Sequence, residues 1–377
     1  MEPMKPASPR RAFKALVLLF CLLLASFPLS ARKKKQKASR NPPAESAAAS
    51  TQPAQPSHKS TAKSSSSKSY SQQAAQQDSA QESLLQGEST QEEAARDKPD
   101  GLALLERAYP DLHFDCRFDE ARGDWHITLT MPDQNGVVVF YWCEGSMLPE
   151  AEIENRAKYW TLLYPYPAHL KDPAAMSDEE REHLREFSSA SNRRNGSGTP
   201  MFFFEAIYGA QSRASLEANL ASETFLGKKT TVHKRIVPAL KRVESRILEA
   251  AKTDEAVRQF VDGLKSADAY NWRRIAGTNR LSFHSLGIAV DVLPKRITGE
   301  IFWSWARDKN PDGWMLTPIS RRWTPPQAVI DIFEDEGFIW GGKWAIWDNM
   351  HFEYHPELIL YQRETGGTAL LVREGEH

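Results

Sequence analysis

Two short segments of the chain supply side chains that can bind a metal ion. The first, SFHSLGIAVD, contains His284 and Asp291, and the second, DNMHFE, contains Asp348 and His351. A catalytic zinc site takes three ligands from His, Asp, Glu or Cys and leaves one position open for water. It also needs a nearby acid/base group that does not bind the metal. Together the two segments contain enough imidazoles and carboxylates for such a site.

The first segment has the pattern of a turn followed by a buried strand. Leu286-Gly287 marks the turn, and the apolar run Ile288–Leu293 predicts the strand. Asp291 lies in the middle of this run, where an unpaired buried carboxylate is costly. A metal ion shared with His284, just before the turn, would give Asp291 a partner.

The second segment predicts a tight turn that leads into a strand. Asp348 and His351 lie three residues apart, and alternation with aromatic residues places His351, Glu353 and His355 on one face. Because His351 and His355 would lie ~13 Å apart along the strand, we expect only His351 to bind the ion. Glu353 is a candidate to orient His351, and His233 and His355 are candidates for supporting or structural roles.

The two motifs in this order resemble those of the VanY-type D-alanyl-D-alanine carboxypeptidases. The pattern is Ser-x-His-x-x-Gly-x-Ala-x-Asp, then Trp-Gly-Gly-x-Trp, then Asp-x-x-His-Phe-Glu, and the resemblance extends over residues 225–358. This family is grouped with L-alanyl-D-glutamate endopeptidases of phage lysins, in a set that includes lysostaphin and the hedgehog signalling domain. The resemblance implies that His284, Asp291 and His351 bind Zn²⁺ and that Asp348 is the catalytic acid/base.

The resemblance also implies a role for an arginine that precedes the first motif. In the family, such an arginine contacts the carboxylate of the substrate or the developing oxyanion, and a guanidinium suits either task. Arg273 is the candidate here, with the adjacent Arg274 as the alternative. An ordinary salt bridge is the alternative for either side chain.

The start of the chain is typical of an exported protein. In residues 1–31, basic residues precede the apolar run Ala15–Leu29, and small residues follow it as far as Ala31, which predicts a secretory signal peptide. We therefore expect a periplasmic or cell-envelope location, with a membrane tether if the segment is not cleaved. Residues 32–100 are rich in Ser, Ala, Gln and Pro, and this low hydrophobicity predicts a disordered tether.

Residues 101–195 have a globular composition but carry no motif that we recognise. Alternating apolar residues around a turn predict a β-hairpin, and helices are expected over Ala151–Leu163 and Ser177–Phe187. Cys116 and Cys143 remain after removal of a signal peptide, and an even pair in an exported protein predicts a disulfide. The segment is either a wall-binding module or an extension packed on the enzyme.

Residues 200–365 carry the metal motifs, and residues 366–377 read as a tail. Helices are expected after Pro238, over Asp254–Leu264 and after Pro325-Pro326, with a short strand at Phe338–Trp340. The predicted fold class is α+β, a small antiparallel sheet with flanking helices that carries the zinc site. The tryptophans beside the second motif line the cleft or belong to the core.

The predicted function is zinc-dependent hydrolysis of peptide bonds in peptidoglycan stem peptides. The formal net charge of −1 favours no particular partner, and we expect a monomer that does not bind nucleic acid. Carboxypeptidase, dipeptidase and endopeptidase activities are not separated by these motifs. The alternative is a non-catalytic cell-wall-binding module that retains the fold.

Brief proteolysis tests the predicted tether. Because residues 32–100 lack the apolar content to form a core, a protease should remove them quickly and leave a resistant fragment that begins near Leu102. Mass spectrometry of the digest identifies the fragment. Protection of residues 65–77 would contradict the prediction.

Overall fold

The computed structural model describes residues 97–131, 136–275, 278 and 280–366. The predicted signal peptide, nearly all of the predicted tether and the predicted tail lie outside the described residues. None of the helices in the described part of the chain has the length and apolar composition needed to cross a membrane.

The described residues form a mixed α and β structure. The helices are α1 (Asp100–Ala108), α2 (Asp178–Ser188), α3 (Ala190–Asn195), α4 (Met201–Ile207), α5 (Arg213–Glu217), α6 (Val237–Ala250), α7 (Glu255–Gly263), α8 (Trp303–Lys309), α9 (Gln327–Asp335) and α10 (Pro356–Thr365). The strands are β1 (His113–Asp119), β2 (Asp124–Thr130), β3 (Val137–Tyr141), β4 (Leu220–Phe225), β5 (Lys228–His233), β6 (Leu264–Asp268), β7 (Ala289–Pro294), β8 (Phe338–Trp340) and β9 (His351–Tyr354).

The strands form small antiparallel sheets, so the predicted α+β class is confirmed. One sheet has the order β1-β2-β3, a second pairs β4 with β5, and a third has the order β6-β7-β9-β8. In the third sheet β7 and β9, which contain the two motifs, are neighbours although many residues separate them in the chain. This pairing brings the two halves of the predicted site together.

The secondary structure predicted around the motifs is largely confirmed. Pro238 lies in the first turn of α6, and the side chain of Asp254 caps α7, which ends one residue before the predicted boundary. Helix α9 ends at Asp335, and Gly337 then turns the chain with a φ of +90°, a conformation that glycine adopts without strain. Strand β8 follows as expected. Trp347 is completely buried and belongs to the core.

The segment before the metal motifs contains the predicted hairpin but lacks one predicted helix. Strands β2 and β3 pair antiparallel, and Ser177 begins α2 with a capping box. The α-helix predicted over Ala151–Leu163 is wrong, because Glu150–Lys158 forms a 3₁₀ helix. No residue of that helix is buried, so no apolar face packs to favour a longer α-helix.

One hydrophobic core connects this segment with the metal-bearing part of the chain. Leu102 and Ile127 of the N-terminal segment belong to the same buried cluster as Phe203, Val290 and Phe352. Each of these side chains is completely buried. Residues 101–164 are therefore packed on the rest of the described chain and share its core.

The predicted disulfide is wrong, because Cys116 and Cys143 are both free thiols. Cys116 lies on β1 opposite Ile127 of β2, which in turn lies opposite Phe140 of β3. Two strand spacings of ~4.8 Å therefore separate Cys116 from β3, and the Cα atoms of a disulfide are rarely more than about 7 Å apart. Cys143 lies still further along, beyond the end of β3.

Thiol labelling tests this arrangement. Burial raises the pKa of both Cys116 and Cys143 to about 11, so we expect slow alkylation in the folded protein. After unfolding without reductant, both thiols should react fully, as measured by peptide mass spectrometry. A cross-linked peptide pair that separates only on reduction would show that the exported protein forms the bond.

Candidate metal centre

Three side chains converge at one place on the four-stranded sheet. The distance from His284 Nε2 to His351 Nδ1 is 3.1 Å, and Asp291 Oδ1 lies 2.7 Å from His351 Nδ1 and 3.2 Å from His284 Nε2. These atoms form a near-equilateral triangle of two nitrogens and one oxygen. Among the described residues, this is the cluster of His, Cys, Asp or Glu side chains with the geometry to hold a metal ion.

The register of two strands places Asp291 beside His351. The two residues lie directly opposite each other on the antiparallel strands β7 and β9. Side chains at opposed positions point to the same face of the sheet, with Cβ atoms about 5 Å apart. Both side chains are then close enough to bind one ion, with no strain in either strand.

A tight turn before β7 positions His284. Residues Phe283–Leu286 form a short 3₁₀ helix that the side chain of Ser282 caps, and Gly287 ends it with a φ of +69°. A Cβ atom at Gly287 would lie 2.8 Å from the side chain of Leu220 and 2.9 Å from the backbone nitrogen of His233. Glycine is therefore required for both the backbone conformation and the close approach of β5.

Hydrogen bonds on the far side of each imidazole fix which ring nitrogen faces the centre. His284 Nδ1 lies 2.5 Å from the carbonyl oxygen of Ala269, and His351 Nε2 lies 2.7 Å from Glu353 Oε1. Each of these ring nitrogens donates a proton outward, so His284 Nε2 and His351 Nδ1 are the ring atoms that face the centre and that a metal ion would bind. Such outer contacts are typical of metal-binding histidines.

The donor set fits a tetrahedral divalent cation. Ligands at about 2.0–2.1 Å from zinc in a tetrahedron are separated by roughly 3.3 Å, close to the observed spacings. Burial alone would raise the pKa of Asp291, but His284 and His351 hold it well below its ordinary range, so the carboxylate is ionised. Three protein donors leave a fourth position for water or substrate.

Asp348 lies beside this centre and has an unpaired oxygen. Its backbone N–H donates to the carbonyl oxygen of Gly341, and its own carbonyl oxygen accepts from the N–H of His351. Its Oδ1 is buried and has no hydrogen-bond partner among the described residues. Burial and the charge of Asp291 raise the pKa of Asp348 to about 8. A carboxyl group of this kind can exchange protons near neutral pH.

The two candidate arginines have different surroundings. The side chain of Arg273 is exposed, and its positive charge opposes the rise in the pKa of Asp348. Arg274 instead lines a cavity of about 400 Å³ together with Glu205 and Trp272. Arg273 does not lie on a strand, because β6 ends at Asp268. Its proposed role in substrate binding remains a prediction.

The other candidate residues have structural positions. The ring of Trp344 lies 5.4 Å from that of His351 and forms one wall of the centre. His233 is buried away from the triangle, and its Nε2 lies 3.1 Å from the carbonyl oxygen of Tyr208. His355 is not a member of the donor triangle and lies between two glutamates.

Sequence reasoning missed two buried residues that continue from the centre. His355 Nδ1 lies 2.7 Å from Glu357 Oε1, and Tyr109 Oη donates to Glu357 Oε2 at 2.6 Å. The alternation of His and Glu from His351 to Glu357 was a usable signal, although β9 ends at Tyr354 and Glu357 lies in the first turn of α10. The contact of Tyr109 had no sequence signal, because nearly 250 residues separate it from Glu357.

Comparison with protein families yields two partial matches. Residues 276–354 match the family described as D-alanyl-D-alanine carboxypeptidase, and this range contains His284, Asp291, Asp348 and His351. The match supports a peptidase of this family. Residues 101–164 match a family described as a domain of unknown function (DUF8518). No curated protein and no solved structure gives a significant match to the chain.

Metal analysis tests the donor triangle. Purified protein should hold about one divalent ion per chain, because three donors converge on one position. Replacement of His284 or His351 by Ala should abolish most of the binding, as measured by elemental analysis after dialysis. His113→Ala is the matched control, since His113 is exposed on β1. Unchanged metal content in both site variants would contradict the assignment.

Proposed function

We propose that this protein is an exported zinc peptidase that cleaves peptide bonds in the stem peptides of peptidoglycan. The observation that carries the proposal is the His284, Asp291 and His351 triangle with the unpaired Oδ1 of Asp348 beside it. The family match over residues 276–354 supports the reaction class. The D-Ala-D-Ala carboxypeptidase reaction is the form of the activity that this match favours.

His284, Asp291 and His351 would hold the zinc ion. When bound, zinc supplies a Lewis acid that polarises the scissile carbonyl and acidifies water. One anionic ligand, Asp291, leaves a net positive charge at the centre, which preserves that acidity. Glu353 and the carbonyl of Ala269 keep the two imidazoles in the orientation that this binding requires.

Asp348 would serve as the general acid/base. Its carboxyl would take a proton from the attacking water and deliver it to the leaving amine, so it must cycle between two protonation states. Burial provides the raised pKa, and a nearby cation would lower it toward the value that a base needs. The backbone contact with Gly341 holds this carboxyl at the turn before His351.

Arg273 would bind the carboxylate of the substrate or stabilise the developing oxyanion. Its guanidinium is always charged and offers donors in a fixed planar arrangement. It is exposed, so a substrate can reach it. In the first of these roles, Arg273 would select peptides that end in a free carboxylate.

The cell envelope is the proposed location, because the substrate is the wall and residues 1–31 have the pattern of a signal peptide. We propose a monomer that acts on peptidoglycan without a nucleic-acid partner. A non-catalytic wall-binding module is not favoured, since it gives no role to the buried, unpaired Oδ1 of Asp348 beside the donor triangle.

Digestion of defined muropeptides tests this function. Mass spectrometry of the products, with and without a chelator, identifies the bond that is cleaved. Loss of a terminal D-Ala indicates a carboxypeptidase, and an internal cut indicates an endopeptidase. Wild-type protein that binds zinc and cleaves no muropeptide would overturn the peptidase proposal.

Substitution of the two carboxylates separates metal binding from proton transfer. Asp348→Asn keeps the size of the side chain but removes its basicity, so zinc content should stay near wild type. Turnover of a D-Ala-terminated peptide should fall roughly 10²–10⁴-fold, the usual range for loss of a general acid/base. Asp291→Asn should instead lose zinc, because the lost charge belonged to a donor. The reverse pattern would mean that the two carboxylates have exchanged roles.

A further inference from the structure

A line of buried polar side chains runs from the metal centre to the N-terminal segment. It begins at His351, passes along β9 and into the start of α10, and ends at Tyr109 after α1. Its members are His351, Glu353, His355, Glu357 and Tyr109, and each is at most 7% exposed. Nothing in the proposed reaction uses the last three.

Each member of the line contacts the next through a polar atom. His351 Nε2 and Glu353 Oε1 are 2.7 Å apart, whereas His355 Nε2 lies 3.3 Å from Glu353 Oε2 as an ion pair without hydrogen-bond geometry. His355 Nδ1 lies 2.7 Å from Glu357 Oε1, and Tyr109 donates to Glu357 Oε2 at 2.6 Å. Both glutamates therefore use both of their oxygens within the line.

Packing holds the middle of the line in one arrangement. The ring of His355 packs edge-on against Phe204 at 5.2 Å and Phe283 at 4.6 Å. Phe283 precedes the donor His284 in the chain. One of the two rings that pack against His355 therefore belongs to the turn that positions the metal site. Side chains packed in this way have few other rotamers available.

If one member of the line is removed, its neighbour loses a partner that water cannot replace. Glu357 is completely buried, so water cannot substitute for the hydroxyl of Tyr109 without a rearrangement. If Glu357 moved, His355 would lose its hydrogen bond to Glu357 Oε1. The His355 ring would then be free to move away from Glu353 Oε2. Glu353 in turn sets the orientation of the His351 ring.

The N-terminal end of the line lies in the segment whose family has no assigned role. Residues 101–164 match the domain of unknown function, and they contain Tyr109 near one end and Tyr164 at the other. Tyr164 is half-buried and packs against a cluster that includes Leu358 and Ile359 of α10. Both ends of the matched segment therefore reach the region around the start of α10.

We infer that residues 101–164 are a positioning element of the metal centre, which they support through Tyr109, Glu357, His355 and Glu353. Tyr109 is a positioning residue, since it acts on the donor His351 through the intervening side chains. The segment then orients a donor of the metal centre through contacts inside the shared core, and it is not a separate wall-binding module. This inference rests on the metal centre of the proposed function but not on the identity of the substrate.

Zinc affinity of full-length variants, measured by chelator competition, tests the inference. Glu353→Gln should weaken zinc binding about 10- to 100-fold, the usual effect of losing a direct outer contact. Glu357→Gln and Tyr109→Phe should weaken it by a smaller factor, roughly 3- to 10-fold, because their influence passes through more contacts. The visible spectrum of the Co²⁺ form should change in the same order, since it reports the geometry of the donors.

Tyr208→Phe is the matched control. Tyr208 lies in the same core, and its hydroxyl is buried without a hydrogen-bond partner among the described residues. Tyr208→Phe removes the same atom as Tyr109→Phe, but in Tyr208 that atom hydrogen-bonds to no described member of the line. We expect zinc affinity and the Co²⁺ spectrum of this variant to match wild type, whatever its melting temperature.

The outcomes separate this inference from the proposed function. A Tyr109→Phe protein with lower melting temperature but wild-type zinc affinity and Co²⁺ spectrum would overturn the inference and leave the peptidase proposal intact. A wild-type protein that binds no zinc would overturn both. Zinc binding that depends on Tyr109, in a protein that cleaves no muropeptide, would support the inference and overturn the peptidase activity alone.

Discussion

The pairing of β7 with β9 is the constraint on which the site depends. It places Asp291 and His351 directly opposite each other, and the antiparallel register turns both side chains to the same face. A shift of one residue would move one of them to the other face and remove a donor. The register is specified because apolar neighbours on both strands are completely buried, including Val290 and Phe352. The hydrophobic core therefore fixes the geometry of the polar centre.

Buried charge explains much of what surrounds the centre. Ionised groups are costly in the interior unless they are paired, so each carboxylate near the donors lies against an imidazole. Burial lowers the pKa of His355, but Glu357 and Glu353 outweigh it and raise the pKa to about 9, so this ring stays protonated between two anions. Asp348 departs from the pattern, since one of its oxygens has no partner. An unpaired buried oxygen beside a donor triangle is suited to proton transfer.

The N-terminal segment connects to the centre through the core and through hydrogen bonds. Helix α1 lies against α10, and Arg107 forms an ion pair with Glu364 at the surface of this contact. Beneath it, Tyr109 reaches Glu357 at the start of α10. Solvent screens an exposed ion pair, whereas a buried hydrogen bond to a charged group contributes roughly 1.5–3 kcal/mol. The buried contact is therefore the stronger link between the segment and the metal-bearing sheet.

The sequence alone determined the α+β class, most of the elements around the motifs and the four residues that gather at the centre. These features depend on local patterns: a turn glycine at Gly287, an aspartate within an apolar strand at Asp291, and the short spacing from Asp348 to His351. Only the tertiary structure decided the distant pairings. It separated Cys116 from Cys143, because β2 lies between β1 and β3 and Cys143 follows β3, and it joined Tyr109 to Glu357, because α1 packs against α10. Such contacts depend on how elements pack in space, which local residue patterns do not determine.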